Sequence, residues 1–136
     1  MAQIGEISRQ LNISVDTLRY YEKIGLLPPV YRKPSGIRVY GRKDISRIKF
    51  IKRSQSMGFS LDEIKKLLRF REAPQNAKPE VRQLAGTKLQ EIERHLDDLK
   101  ILQAEFRLLI NLCTDDDENC PILDAMDEGS TNQKDN

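Results

Sequence analysis

The sequence lacks most of the residues from which enzymes build active sites. Its 136 residues include one His and two Cys, with no Gly-rich phosphate loop and no Ser/His/Asp constellation. No apolar run approaches the roughly 18 residues of a membrane span, and the N-terminus lacks the charged-then-apolar pattern of a signal peptide. We therefore expect a cytoplasmic protein that is not an enzyme.

Charge is divided unevenly along the chain. The net charge is only +2, yet residues 1–72 carry 16 Lys and Arg against 7 Asp and Glu, while residues 73–136 carry 7 against 14. Such a division predicts that the first half faces a polyanion and that the second half does not.

Two short helices are predicted near the N-terminus. Residues 4–11 place Ile4, Ile7 and Leu11 on one face, and a second helix begins after Ser14 and stops at Gly25. Two short helices joined by a tight turn are the pattern expected of a helix-turn-helix motif. In that motif the second helix enters the DNA major groove. Many small helical hairpins share this pattern, so the pair alone leaves DNA binding open.

The helical spacing of apolar residues stops before residue 31. Residues 31–40 are predicted to form two short strands around a turn at Pro34-Ser35-Gly36. Arg32, Lys33 and Arg38 lie on this hairpin, and such cations suit a wing that rests on phosphates. An ordinary solvated hairpin with surface charge is the alternative.

Further helices are predicted beyond the hairpin. A basic helix covers residues 44–57, with Ile45, Ile48 and Ile51 predicted to face inward and its cations, Arg47 and Lys52 among them, largely outward. Ser60 with Glu63 forms a capping box that opens a helix over 61–72, whose predicted core face is Ile64, Leu67 and Leu68. Residues 73–79 contain two prolines and are typical of a hinge. Together, residues 1–72 form one predicted DNA-binding domain.

A long helix is predicted over residues 80–112. At 1.5 Å per residue it would be about 50 Å long, which exceeds what a small domain needs for its own core. Its apolar stripe predicts a two-stranded coiled coil with a second copy, and the predicted interface residues are Leu89, Ile92, Leu96, Leu99, Phe106 and Ile110.

Several sequence blocks resemble the MerR family of bacterial transcription regulators over residues 1–70. They are Ile4–Ile7, Thr17–Glu22, Gly25–Pro28, Arg38–Tyr40, Phe50–Ile51 and Met57–Ile64. The resemblance implies a mainly α fold: a winged helix-turn-helix, a homodimer joined by an antiparallel coiled coil, and an effector site beyond it. It also implies promoters whose −35 and −10 elements are too far apart. The effector-bound dimer would bend and untwist the spacer so that RNA polymerase engages both elements.

The resemblance also implies which residues contact DNA. The recognition-helix contacts implied by the matching blocks are Thr17, Arg19 and Tyr20. The implied wing contacts are Lys33, Gly36, Arg38 and Tyr40, and Arg53 is a further phosphate contact. Tyr21 is predicted to lie in the core, because its neighbour Tyr20 points to another side of the helix.

Two cysteines, Cys113 and Cys120, follow the long helix and are separated by six polar residues. Thiolates select soft metals such as Cu(I), Cd(II), Hg(II) and Zn(II), although such pairs also occur by accident. The arrangement resembles the metal-sensing branch of the MerR family, which implies that both cysteines are ligands. Residues 113–126 would then form the effector loop and a short helix, and the polar tail 127–136 is predicted to be disordered.

The identity of the metal is harder to predict. The branch that senses divalent ions usually adds a third Cys at the start of the long helix, where this chain has Lys78 and no third thiol. Two thiolates suit a linear monovalent ion such as Cu(I), Ag(I) or Au(I), and the Lys78 ammonium could offset the charge of that complex. Lys78 could equally be a solvated hinge residue.

The spacing of the two cysteines points the other way, because a six-residue gap equals that of a cadmium-type loop. We favour a regulator like the copper-efflux type. A sensor of Cd, Pb, Zn or Hg ions and a thiol-redox regulator of the same fold stay open.

Overall fold

The computed structural model describes residues 2–113. The mainly helical fold predicted from the sequence is confirmed. Its elements, in chain order, are β1 (Ala2–Gln3), α1 (Ile4–Leu11), α2 (Val15–Lys23), β2 (Tyr31–Arg32), β3 (Arg38–Tyr40), α3 (Arg42–Ser56), α4 (Leu61–Glu72), a 3₁₀ helix (Pro74–Asn76) and α5 (Pro79–Leu112). The chain forms two compact units, of which the first comprises residues 1–88 and the second begins at Leu89.

The first unit opens with the predicted helix-turn-helix. Helix α1 ends where Asn12 adopts a left-handed conformation at φ 53°, and the Ile13 N–H donates to the Ser8 carbonyl at 3.1 Å. Ser14 then caps α2 by accepting a hydrogen bond from the Thr17 N–H at 3.1 Å. Because each local signal acts within a few residues of the turn, the sequence places both helices correctly.

The predicted hairpin is present as β2 and β3, but it belongs to a sheet of three strands. The order is β1-β3-β2 and both pairings are antiparallel. Strand β1 was not predicted, because two residues are too few to show the alternating pattern of a strand. The central strand β3 also contacts α1 and α3, which buries Val39 and Tyr40.

The core of the first unit contains most of the apolar residues predicted to face inward. Tyr21 lies in it, as predicted, and its hydroxyl donates to Gln55 Oε1 at 2.7 Å. Within residues 2–113 no buried side-chain nitrogen or oxygen lacks a hydrogen-bond partner. The buried members of the predicted inward set are Ile7, Ile48, Ile51, Ile64, Leu67 and Leu68.

Two cations of α3 that were predicted to point outward serve the fold instead. Arg47 donates through Nε to Glu72 Oε1 at 2.6 Å, and its Nη1 lies 3.5 Å from Asp44 Oδ1. Lys52 donates through Nζ to the carbonyl of Leu11 at the end of α1. A cation at a helix C-terminus satisfies free carbonyls and opposes the helix dipole, so Lys52 ties α3 to the helix-turn-helix.

The capping box that begins α4 is present. Glu63 donates its backbone N–H to Ser60 Oγ at 3.1 Å, and Ser60 donates its own N–H to Glu63 Oε1 at 2.9 Å. The helix runs from Leu61 to Glu72, which are the predicted bounds.

The first compact unit extends beyond the predicted hinge into α5. Val81 and Leu84 face Phe70 of α4 across a groove of about 630 Å³. The Lys88 ammonium lies 3.1 Å from Glu63 Oε2 and 4.7 Å from the centre of the Phe59 ring. The Lys88 side chain therefore links the start of the long helix to α4, while a groove lies between the apolar residues of the two helices.

The second unit is described from Leu89 to Cys113. None of the residues of α5 is buried. Of the six predicted interface residues, Ile92 is partly exposed and the other five are exposed, with Ile110 being 74% exposed. Ile101, Leu102, Leu108 and Leu112 are further exposed apolar residues, which the predicted stripe did not include. No helix in the described part of the chain combines the length and apolar character that a membrane crossing needs.

We expect the Ser60→Ala substitution to lower the free energy of unfolding by about 1 kcal/mol, because it removes the side-chain cap of α4. Chemical denaturation at one protein concentration measures this change. Ser35→Ala in the exposed turn of the hairpin is the control and should change stability by less than about 0.5 kcal/mol. Equal effects of the two substitutions would contradict the assigned cap.

Candidate nucleic-acid interface

Helix α2 presents one polar face to solvent. Leu18 and Tyr21 are buried, whereas Arg19 is exposed and Tyr20 is 50% exposed. Arg19 Nη1 lies 3.8 Å from Asp16 Oδ1, and both side chains are largely exposed, so this pair holds Arg19 only weakly. The guanidinium and the phenol are therefore available to a ligand, as expected of a recognition helix.

Thr17 stands at the start of the same face and is partly exposed. Its Oγ1 lies 2.7 Å from Ser14 Oγ, and its backbone N–H caps the helix through the same Ser14 oxygen. The Thr17 hydroxyl is therefore oriented by the cap before any ligand arrives.

The hairpin of residues 31–40, which we call the wing, turns tightly at its tip. Gly36 donates its N–H to the Lys33 carbonyl at 2.8 Å, and Lys33 donates its own to the Ile37 carbonyl at 2.9 Å. Gly36 has φ +90°, a conformation that a side chain would strain. The turn leaves Arg32 and Lys33 exposed, which places two cations where a phosphate backbone can be contacted.

Glu22 connects the recognition helix with the wing. Its Oε1 accepts a hydrogen bond from Arg38 Nε at 2.8 Å, and its Oε2 accepts one from the Val30 N–H at 3.0 Å. Arg32 Nη2 lies 3.8 Å from Oε1. Burial acts to raise the pKa of Glu22, but the bonds from Arg38 and Val30 and the charges of both arginines outweigh it, so the pKa is lowered. The carboxylate is therefore charged and fixed at neutral pH.

Two of the predicted wing contacts, Tyr40 and Arg38, are less exposed than Arg32 and Lys33. The Tyr40 side chain is only 1% exposed because β3 is the central strand and packs against α1 and α3. Burial raises the pKa of its hydroxyl, and its contact with DNA stays a prediction. The Arg38 guanidinium is bound to Glu22 and its side chain is 17% exposed, so it positions the wing more than it presents a free cation.

The remaining candidate, Arg53, is exposed on α3. Sequence reasoning missed Glu22 and Lys52, which hold the wing and α1 in place. Their partners lie 16 and 41 residues away, so no local pattern could have identified them.

The predicted effector site lies mostly outside the described residues. Cys120, the loop and short helix through residue 126 and the tail 127–136 all fall beyond residue 113. Cys113 directly follows α5, donates its N–H to the Leu109 carbonyl at 3.1 Å and is present as a disulfide. Residues 2–113 hold no group of three or more His, Cys, Asp or Glu that could bind a metal ion.

Lys78, the predicted selectivity residue, belongs to the first unit. It is exposed, and its carbonyl accepts hydrogen bonds from the N–H groups of Val81 and Arg82 at 3.0 and 3.1 Å. Lys78 therefore caps the start of α5 through its backbone, while its side chain is left to solvent.

Family models match nearly all of the described chain. The MerR HTH family regulatory protein model matches residues 2–71, and the model described as MerR, DNA binding matches residues 45–109. The chain belongs to the MerR family. It is accordingly a DNA-binding transcriptional regulator and not an enzyme.

Individual MerR-family proteins align with this chain over almost its full length. The transcriptional regulator HmrR of Rhizobium leguminosarum bv. viciae is 38% identical, over 93% of this chain and 98% of its own. The regulator ZntR of Escherichia coli K12 is 32% identical, over 98% of both chains. Among solved structures, the regulator PbrR691 of Ralstonia metallidurans CH34 in complex with lead(II) is 30% identical, with a TM-score of 0.57 over 93% of this chain and 99% of that one.

Arg19→Ala should weaken binding of this MerR-family protein to its promoter DNA by about tenfold or more, because an exposed guanidinium on the recognition helix is lost. Gel-shift titration at fixed salt measures the change. Arg82→Ala, a matched loss of an exposed Arg on α5, is the control. Affinity unchanged by Arg19→Ala would remove that residue from the interface.

Glu22→Gln should lower the unfolding free energy at neutral pH by about 1–2 kcal/mol, since it removes charge-assisted bonds to Arg38 and Val30. Because the folded-state pKa is lowered, the stability that Glu22 adds is complete above its ordinary value of 4.5 and is lost as pH falls through the folded-state value. The difference between wild type and variant should therefore shrink in acid. Denaturation at pH 7 and below pH 4.5 tests this, with Glu80→Gln as the exposed control; a constant difference would argue against the assignment.

Proposed function

We propose that this chain is a metal-responsive transcriptional regulator in which a thiophilic ion bound by Cys113 and Cys120 controls promoter activity. The observation that carries the proposal is the place of Cys113, which directly follows the last residue of α5. A thiolate there lies at one end of α5, and the other end of that helix belongs to the first unit, where Lys88 links it to α4. Lead(II) in the related PbrR691 supports a heavy-metal effector.

The regulator would act as a homodimer on promoter DNA. The exposed apolar residues of α5 support pairing with a second copy as an antiparallel coiled coil, because such a face is stable in water only when it is covered. Two linked recognition helices can then hold two half-sites in a fixed relation. A change in that relation deforms the DNA between them and brings an overlong promoter spacer into register for RNA polymerase.

The number of thiols favours a monovalent ion. The chain offers two cysteines, which suit linear coordination of Cu(I), Ag(I) or Au(I), whereas Zn(II) usually takes four ligands. The exposed Lys78 ammonium is the proposed counter-charge to such a complex. The lead(II) complex of PbrR691 makes a divalent ion the competing choice.

A thiol switch is a second candidate. Cys113 is present as a disulfide, and that form cannot supply a thiolate to an ion. Reversible oxidation would then report redox state through the same dimer.

An anaerobic titration of the reduced protein tests the proposal. We expect tight binding of one Cu(I) per subunit and weaker binding of Cd(II), each ion buffered by a competing chelator and followed by thiolate-to-metal ultraviolet absorption. Cys113→Ser should abolish the signal, while His95→Ala, which removes the chain's single His from α5, should not change it. Lys78→Met should weaken Cu(I) more than Cd(II).

Each other result has a distinct meaning. Preference for Cd(II) would overturn the monovalent assignment and imply a further ligand. Binding of neither ion, with promoter activity that follows mild peroxide and returns on reduction, would replace metal sensing by the thiol switch.

A further inference from the structure

Lys88 links the beginning of α5 to the rest of the first unit, which carries the recognition helix and the wing and is called the DNA-binding unit below. Its ammonium lies 3.1 Å from Glu63 Oε2 and 4.7 Å from the centre of the Phe59 ring. Phe59 stands between α3 and α4, and its own side chain is buried. One side chain of the long helix therefore contacts both the loop before α4 and the first turn of α4.

Both partners of Lys88 are themselves fixed. Glu63 Oε1 accepts the Ser60 N–H at 2.9 Å as part of the capping box, which leaves Oε2 directed to Lys88. The Phe59 N–H donates to the Ser54 carbonyl at 3.1 Å, which links that residue to the end of α3. A contact to groups that are already immobilised costs little further ordering when it forms.

The contact also differs from an ordinary surface pair. The Lys88 side chain is 15% exposed and that of Glu63 is 31% exposed, so solvent screens them less than a surface pair. By contrast, Lys66 and Asp62 are 54% and 75% exposed and lie four residues apart on α4. That pair joins no two elements, and it provides a matched control.

We propose that Lys88 is the positioning residue that couples α5 to the DNA-binding unit, so that a change at the far end of α5 alters how the recognition helix is set. The coupling part of this proposal rests on the metal-responsive function above. The site of attachment does not, because it follows from contacts within the first unit alone.

Three substitutions of the full-length dimer test the proposal: Lys88→Met, which keeps most of the aliphatic volume; Lys88→Arg, which keeps the charge; and Lys66→Met as the control. Amide hydrogen exchange of residues 79–88 in the metal-free protein measures attachment. Transcription from the cognate promoter with and without the bound ion measures coupling, and separate titrations give the affinities for metal and for DNA.

We expect Lys88→Met to speed exchange in residues 79–88 and to lower the metal-dependent activation ratio by roughly threefold to tenfold. Its affinities for metal and for DNA in the metal-free state should stay within about twofold of wild type. Lys88→Arg should restore most of the ratio, and Lys66→Met should change neither quantity. A purely structural role would instead reduce DNA affinity equally with and without metal.

Unchanged exchange in Lys88→Met would overturn the attachment. Faster exchange with an unchanged activation ratio would overturn the coupling. If the wild-type protein itself gives no response to metal, the proposed function fails, and with it the coupling, while the exchange result still decides the attachment.

Discussion

The Glu22 carboxylate fixes the position of the recognition helix relative to the wing. It stands on the recognition helix and accepts hydrogen bonds from the wing at Arg38 and from the backbone at Val30. Neither the short helix α2 nor the three-residue strand β3, which carries Arg38, is long enough to be stable alone. A charged group held between them gives the two elements one fixed relation, and the exposed side chains of Arg19, Tyr20 and Lys33 acquire their positions from it.

Several basic residues of the first unit serve folding as well as charge. Lys52 donates to the end of α1, and Lys65 donates to the Ile24 carbonyl at the end of α2. Arg47 joins α3 to Glu72, and Lys88 joins α5 to α4. The excess of cations over residues 1–72 therefore has two origins, since some side chains close helix ends and others are left for a polyanion.

Local chemistry made much of the fold predictable. The Ser14 cap, the Gly25 stop and the Ser60–Glu63 box act over a few residues, so the helix bounds could be read from the sequence. The burial of Tyr40 depends on β1 and on two helices that meet over the central strand, and no neighbouring residue signals that arrangement. Arg38 and Lys52 were assigned to the surface for the same reason, because their acceptors are distant in sequence.

The uncovered leucines of α5 have a consequence for the amount of protein that a cell must keep. A helix with none of its residues buried gains little from its own chain, so its stability comes from what covers it and follows mass action. A newly made copy without a mate would present an apolar surface to chaperones and proteases. Copies without a mate would be degraded. The regulator would therefore persist only at concentrations high enough for two copies to pair.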